Sequence, residues 1–270
     1  MTLNSEDLPF RVPPYEVGNW QEDYGAGSQF WSEKSPVSYH LFVFHRKIEG
    51  LLHRAARQGD LRAMLFSDGA FVVMPSLERL AVLSGDIMRV CLLNRLPVRM
   101  GLAVGTFQPV KFGAETIGDT GIYTSLFYGT GVVRAHYAES DKKTKGMRIL
   151  VHPSAIATLP GDFDGFKSSP FERIKYRFAP LSARSEPASH EFEYLYRHNP
   201  PSWKHPGIDN SHLEDQKLWD AVVRMKTRAP SDSKVQVHYD ETLLAINRMR
   251  LAVGRPAFAL EDISAQDSRG

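Results

Sequence analysis

LRAMLFSDGAFVVMP, residues 61–75, is the stretch on which the reading of this chain turns. Two apolar runs, Ala63–Phe66 and Ala70–Met74, flank Ser67-Asp68-Gly69. β-Prone runs on either side of Asp-Gly predict a β-hairpin, because both residues tolerate the positive φ that a tight two-residue turn requires. The two strands are expected to be buried, with Asp68 held rigidly at an exposed tip. A fixed, exposed carboxylate suits a hard cation, which takes oxygen ligands. It equally suits a plain turn, for which Asp-Gly is a favoured pair.

Upstream of the hairpin, Ser35-Pro36 reads as an N-cap and a first helical residue. Val37, Leu41, Phe44, Ile48, Leu51 and Ala55 then recur at spacings of three and four, predicting a helix that ends near Gly59. Downstream, Ser76 caps a second helix that turns Leu77, Leu80, Ser84, Ile87 and Cys91 inward. Pro97 opens a strand, PVRMGLAVGTF, with Val98, Met100, Leu102 and Val104 on one face. Residues 107–127, which carry Gly113, Gly118 and Gly121, read as a loop. GTGVVRAHYAES (129–140) reads as a helix, DKKTKG (141–146) as a turn, MRILVH (147–152) as a strand, and Pro153 as the start of a short helix.

The ends are different. Residues 1–35 are rich in Pro, Gly and aromatics, with little periodicity. Residues 161–210 are punctuated by Pro and Gly, with a strand expected at EFEYLYR (191–197), and two helices are expected at 211–227 and 239–253. Strands interleaved with helices around one hairpin predict an α+β sheet with helices on one face. The division that follows is a domain over 1–160, an irregular connecting segment over 161–210 and a C-terminal helical extension over 211–270. Leu218, Trp219, Val222, Leu243, Leu244 and Ile246 give that extension apolar faces that either support a dimer or cover the sheet.

Composition sets outer limits. The 270 residues are enough for one large domain that folds without disulfide or metal staples. Lys+Arg 33 against Asp+Glu 31 leaves a net charge of +2, which argues against a wholesale nucleic-acid binder or a polybasic membrane binder. The only cysteine, Cys91, excludes an intramolecular disulfide and a cysteine-cluster zinc site. MTLNSEDLPF is polar and acidic, unlike a secretory leader, and the apolar runs are too short to span a bilayer. A cytoplasmic protein with neither nucleic acid nor membrane as partner is expected.

Three segments in order, FSDGAFVVM (66–74), LPVRMGLAVGTF (96–107) and YGTGVVRAHYAES (128–140), resemble the catalytic domain of class III nucleotide cyclases. Members of that family have a hairpin with a metal-binding Asp, then a strand V-R-x-G-(I/L)-x-x-G, then a helix that opens with Gly and ends in an L-E-S-like tail. The strand MRILVH also has its counterpart, so the resemblance covers about residues 20–160. It is closest to stand-alone bacterial cyclases, including the pyrimidine cyclases of Pycsar antiphage systems.

The resemblance implies a ferredoxin-like, palm-type sheet and a homodimer whose active sites are built across the subunit interface. It implies two Mg²⁺ or Mn²⁺ ions on a nucleoside triphosphate, and a cyclic mononucleotide plus pyrophosphate as products. The pyrimidine members point to UTP and 3′,5′-cyclic UMP, an antiviral defence signal. Asp68 matches the second metal-binding Asp. Asp23, 45 residues earlier, matches the first, and Gly25 and Gly27 after it would offer backbone N–H groups to phosphates.

Two positions depart from the family. Its helix Asn and Arg fall on Val133 and Tyr137 here. Arg134, one position from the Asn, either supplies the catalytic cation or is a solvated helix residue. Arg99 matches the strand Arg, with a structural ion pair at the sheet edge as its expected role. These departures leave open a degenerate cyclase-like module that binds nucleotide or a protein partner without turnover. Elsewhere, no H-E-x-x-H or P-loop pattern occurs, and His190-Glu191-Phe192-Glu193 alternates like a strand with a surface face.

Overall fold

The protein is described by a computed structural model covering residues 36–66, 69–117, 120–160, 166–167, 175–181, 188–195, 211–229 and 234–259. The hairpin forms, but Gly69 stands opposite Phe66 and is not part of a two-residue Asp-Gly turn. β1 (Arg62–Leu65) pairs antiparallel with β2 (Ala70–Val73), Leu65 standing opposite Ala70. Phe66 N–H donates to the Gly69 carbonyl at 2.8 Å; Ser67 and Asp68 lie outside the described residues. The strands are less enclosed than expected: Arg62 and Ala63 are exposed and the others half-buried. Among the described residues no third strand joins this ribbon.

Helix α1 (Pro36–Ala56) precedes the hairpin, and α2 (Leu77–Leu93) follows it. Ser76 caps α2 by accepting from Arg79 N–H at 3.3 Å. Its inner face carries Ala81, Ser84, Ile87, Met88 and Cys91. Desolvation pushes the Cys91 thiol up to about 12, as befits an inert core cysteine.

The principal sheet has the order β3-β6-β10-β9. β3 (Met100–Leu102) runs parallel to β6 (Ile149–Val151), with α3 (Thr130–Glu139) between them in sequence. β10 (His190–Phe192) runs antiparallel to both β6 and β9 (Phe178–Pro180). β3 is shorter than the sequence suggested. The chain leaves the ladder after Leu102, and Val104 N–H donates to Ser154 Oγ at the start of α4 (Pro153–Ile156). The two-residue strands β7 (Phe166–Lys167) and β8 (Lys175–Tyr176) make a separate pair.

Helices do not all lie on one face of this sheet. Leu102, Ile149, Val151 and Phe192 share a core with α2 and with α5 (Ser211–Arg228) and α6 (Val235–Ala252). Leu150 instead packs with Ala138 of α3 and with Ala188. The reason is in β6 itself: Ile-Leu-Val is apolar on both sides and fully buried, so both faces need cover.

The C-terminal helices are part of this core. Leu218, Trp219, Val222, Leu243 and Ile246 are buried in it, which leaves only Leu244 of the residues considered for a dimer surface exposed. Burying Leu218, Val222, Leu243 and Ile246 contributes about 6–12 kcal/mol, comparable to the whole net stability of a domain. These helices cover the sheet and cannot be spared for another role on that face.

Glu191 and Glu193 are a second departure. The alternating HEFE pattern suggested a surface face, yet both residues are buried. Arg148 and Arg248 pair with Glu191, and Arg177 pairs with Glu193. A carboxylate enters a core only when such partners accompany it.

The chain divides into two compact units, residues 1–43 with 108–128 and residues 44–107 with 129–270. In the first, β4 (Gln108–Ile117) and β5 (Thr120–Tyr128) form a long antiparallel hairpin where a loop was expected. Gly113 and Gly121 occupy ladder positions opposite Thr124 and Thr116. Gly118 and Asp119 lie outside the described residues.

Candidate functional site

Apart from Tyr128, the motif residues that the structure describes lie in the second unit, with the close packing of β3 on α3 among them. A Cβ at Gly101 would sit 1.8 Å from the Ala135 carbonyl oxygen, and one at Gly105 would sit 2.4 Å from Gly131 N. Only glycine lets two backbones approach this closely. Gly129, the N-cap of α3, has φ +152°, and a Cβ there would meet the Thr106 carbonyl oxygen at 2.1 Å. The glycines of VRMGLAVG and of GTG therefore share one cause, the seating of α3 against the strand.

Thr106 and Thr130 close this junction. Thr106 N–H donates to Thr130 Oγ1 at 3.0 Å, and Thr130 N–H donates to Thr106 Oγ1 at 3.1 Å. Gly131 N–H donates to the Thr106 carbonyl at 3.1 Å. Two orphan donors of the first turn of α3, Thr130 and Gly131 N–H, are thus satisfied by the chain itself.

Arg134 lies one turn further along α3. Its Nη1 donates to the Val104 carbonyl at 3.0 Å, fastening the helix to the end of β3. Beside it, His152 Nδ1 accepts from Ser154 N–H at 3.0 Å and so caps α4. Burial, and then the Arg134 charge, hold His152 below its ordinary pKa near 6.5. Val133 and Tyr137, at the family's Asn and Arg positions, are both exposed.

Arg99 does not make the expected ion pair. Its Nη1 and Nη2 donate to the carbonyls of Thr144 and Asp141, at 2.7 and 2.5 Å. Asp141 in turn accepts from Thr144 Oγ1 at 2.6 Å and from Lys143 N–H at 3.0 Å. Arg99 therefore brackets the DKKT turn that delivers the chain into β6. A turn rich in carbonyls within reach of a planar fork of donors explains the choice of acceptor.

A cavity of about 450 Å³ opens beside this junction, between β2, the first turn of α2, the end of β3 and the first turns of α3. Its walls include Phe71, Val73, Leu77, Val104 and Val132, with Thr106 and Thr158 as polar side chains. Thr158 donates its hydroxyl to the Ala155 carbonyl, and Thr106 is engaged with Thr130. The volume falls within the range of small-molecule pockets, and the lining is mostly apolar. Sequence reading missed these cavity residues, because Phe71 and Val104 carry only the signal of strand alternation.

The remaining candidates fall elsewhere. Asp68, Asp23, Gly25 and Gly27 all lie outside the described residues, so Arg134 alone of the proposed site residues has a described place. Among the described residues there is no group of three or more His, Cys, Asp or Glu side chains able to hold a metal. No helix of the described residues is long and apolar enough to cross a membrane. Family models, curated proteins and solved structures yield no match to this chain.

Proposed function

We propose that this chain is a nucleotide cyclase of the class III type, built on a palm-type, ferredoxin-like sheet and working as a cytoplasmic homodimer. The observation that carries the reading is the seating of α3 on β3. Gly101 and Gly105, the two glycines of the V-R-x-G-x-x-x-G strand, both lie under the backbone of the helix that opens with GTG. Motif segments about thirty residues apart, read separately from the sequence, thereby have one structural purpose.

On this reading Asp68 and Asp23 hold two Mg²⁺ or Mn²⁺ ions, with Gly25 and Gly27 near the phosphates. Such ions lower the pKa of a ribose 3′-hydroxyl and neutralise a leaving pyrophosphate. The 450 Å³ cavity is of the size that a nucleoside needs. The substrate proposed is a pyrimidine nucleoside triphosphate, UTP giving 3′,5′-cyclic UMP as a defence signal, and the preference for pyrimidine rests on the sequence resemblance.

A second reading is favoured by one observation. Arg134 spends a donor on the Val104 carbonyl, while Val133 and Tyr137 supply neither amide nor cation. A degenerate module that binds nucleotide or a protein partner without turnover would look the same. Purified protein incubated with Mn²⁺ and each of the four nucleoside triphosphates, with products identified by mass spectrometry, separates the two. Cyclase activity that falls to background in Asp68→Asn, with the thermal melt unchanged, is the expected result. Full activity in Asp68→Asn would sink the cyclase reading, and no product from any triphosphate would favour the degenerate module.

A further inference from the structure

Helix α6 turns most of its circumference into the core, burying Tyr239, Thr242, Leu243, Ile246, Met249 and Arg250. Besides Val235 at its first turn, its exposed residues follow one stripe, Val237, Leu244, Arg248 and Leu251, with the half-buried Glu241 between them. These follow one another at spacings of four, three, four and three, so they fall within about 80° of the helix circumference. Val237 is 51%, Leu244 48% and Leu251 60% exposed. A single exposed aliphatic residue is ordinary. Three in one file at seven-residue intervals, with one acid and one base between them, make a narrow mixed stripe that lacks the second apolar position of a coiled-coil heptad.

Charge decides what fits the stripe. Read forward it is Val-Glu-Leu-Arg-Leu; read backward it is Leu-Arg-Leu-Glu-Val. Two copies laid antiparallel, Leu244 on Leu244, bring Val237 opposite Leu251 and Glu241 beside Arg248 of the second copy. Two copies laid parallel set Glu241 against Glu241 and Arg248 against Arg248. Arg248 is steadied from below by its ion pair with Glu191, while 49% of its side chain remains exposed. Glu241 is half-buried in the field of Arg148. Arg248 is therefore held in place before any partner arrives.

We propose that the exposed stripe of α6 is the surface through which two copies of this chain pair, antiparallel, about a two-fold axis at Leu244. Such an isologous contact is the commonest closed symmetry. It involves none of the motif residues, so it is a contact separate from the shared-site interface that the cyclase reading supposes. A seam of two facing helices is smaller than a standard stable interface, so the pairing is expected in the micromolar range.

Sedimentation velocity of the full chain over a micromolar concentration series tests this. Wild-type protein shows a concentration-dependent dimer, and Leu244→Glu raises its dissociation constant by about tenfold or more. Leu244→Cys tests the geometry without relying on a tolerated charge. Cys91, the only native cysteine, is fully buried, so an oxidised dimer of Leu244→Cys reports residue 244 alone. Val237→Cys does not cross-link to itself, because seven residues from the axis the two copies of position 237 stand roughly 21 Å apart. A strict monomer, a dimer unaffected by Leu244→Glu, or self-cross-linking at 237 rather than 244 would each overturn the proposal.

Discussion

Replacing Gly101 with Ala tests the junction on which the functional reading depends. The added Cβ would lie 1.8 Å from the Ala135 carbonyl oxygen, 2.7 Å from its carbon and 3.0 Å from Glu139 N. Ordinary contact begins near 3.5 Å, so α3 must retreat by roughly 1.5 Å. The obstacle is helix backbone, which cannot turn aside as a flexible side chain does. The same helix is held by Ala138 against Leu150 and by Arg134 against Val104, so its retreat disturbs both. Overpacking in a core costs about 1–3 kcal/mol, and displacement of a whole helix puts this case near 3 kcal/mol. Two other glycines calibrate the measurement. Gly50, inside α1, has nothing within 4 Å of an added Cβ, so Gly50→Ala gains about 0.5–1 kcal/mol from helix propensity. At Gly85, inside α2, an added Cβ would meet Phe192 Cε1 at 3.3 Å and Tyr194 Cβ at 3.4 Å, with Tyr194 backbone no nearer than 4.0 Å. There the same propensity gain offsets the crowding, leaving Gly85→Ala within about 1 kcal/mol of wild type. Urea unfolding of the three variants, compared by midpoint at constant slope, gives the ranking. A Gly101→Ala protein within about 1 kcal/mol of wild type would refute the close packing of α3 on β3 and remove the observation that supports a cyclase.

Burial is the leading cause that lowers the pKa of His152, His190 and His238 below the ordinary value near 6.5. The unfolded chain therefore takes up protons that the folded chain refuses, so stability is complete above about pH 6.5 and drains away as the pH falls through the folded pKa values. Urea midpoints should drop between about pH 7.5 and pH 5.5, and His152→Asn, which keeps a cap for α4, should flatten part of that slope; an unchanged slope would show that His152 titrates alike in both states. Asn247 holds the chain after α6 with a double bond, Nδ2 donating to the Phe258 carbonyl at 3.0 Å and Phe258 N–H donating to Oδ1 at 2.8 Å. Asn247→Leu should cost about 1–3 kcal/mol and make residues 253–259 the first site of limited proteolysis, and a variant as stable and as resistant as wild type would show that the pairing contributes nothing.

Where the sequence was legible, the signal was local and had one meaning. Ser76, Pro36 and Pro153 set the starts of α2, α1 and α4 because a cap or a fixed φ acts on its own turn. The hairpin at 62–73 was legible for the same reason. The hairpin at 108–128 was not, since Gly113 and Gly121 were weighed as breakers while Thr116, Ile117, Thr120 and Ile122 carried the β-propensity. Glu191 was illegible for a different reason. Its partners Arg148 and Arg248 lie 43 and 57 residues away, and no pattern within a strand announces an ion pair closed by the fold.

The same distinction divides the candidate site. A glycine forced by backbone contact stays a glycine wherever the strand and helix meet, so the spacing of Gly101, Gly105 and Gly129 was informative before any geometry was known. An arginine carries no such mark. Arg99 and Arg134 were read against carboxylates and a transition state, and both are found on carbonyls that strand ends and turns leave unpaired. A guanidinium serves either purpose with the same five donors, and only the acceptor within reach separates them. The acceptors here lie 30 to 45 residues from the arginines in sequence. Arg134 is thereby a fastening between α3 and β3, which makes it part of the junction that Gly101 and Gly105 permit. If turnover occurs here, the charge that develops at phosphate has to be met chiefly by ions held at carboxylates such as Asp68. The chemistry of the proposed reaction therefore falls to the hairpin tip, while the support for the reading stays with the junction of α3 and β3.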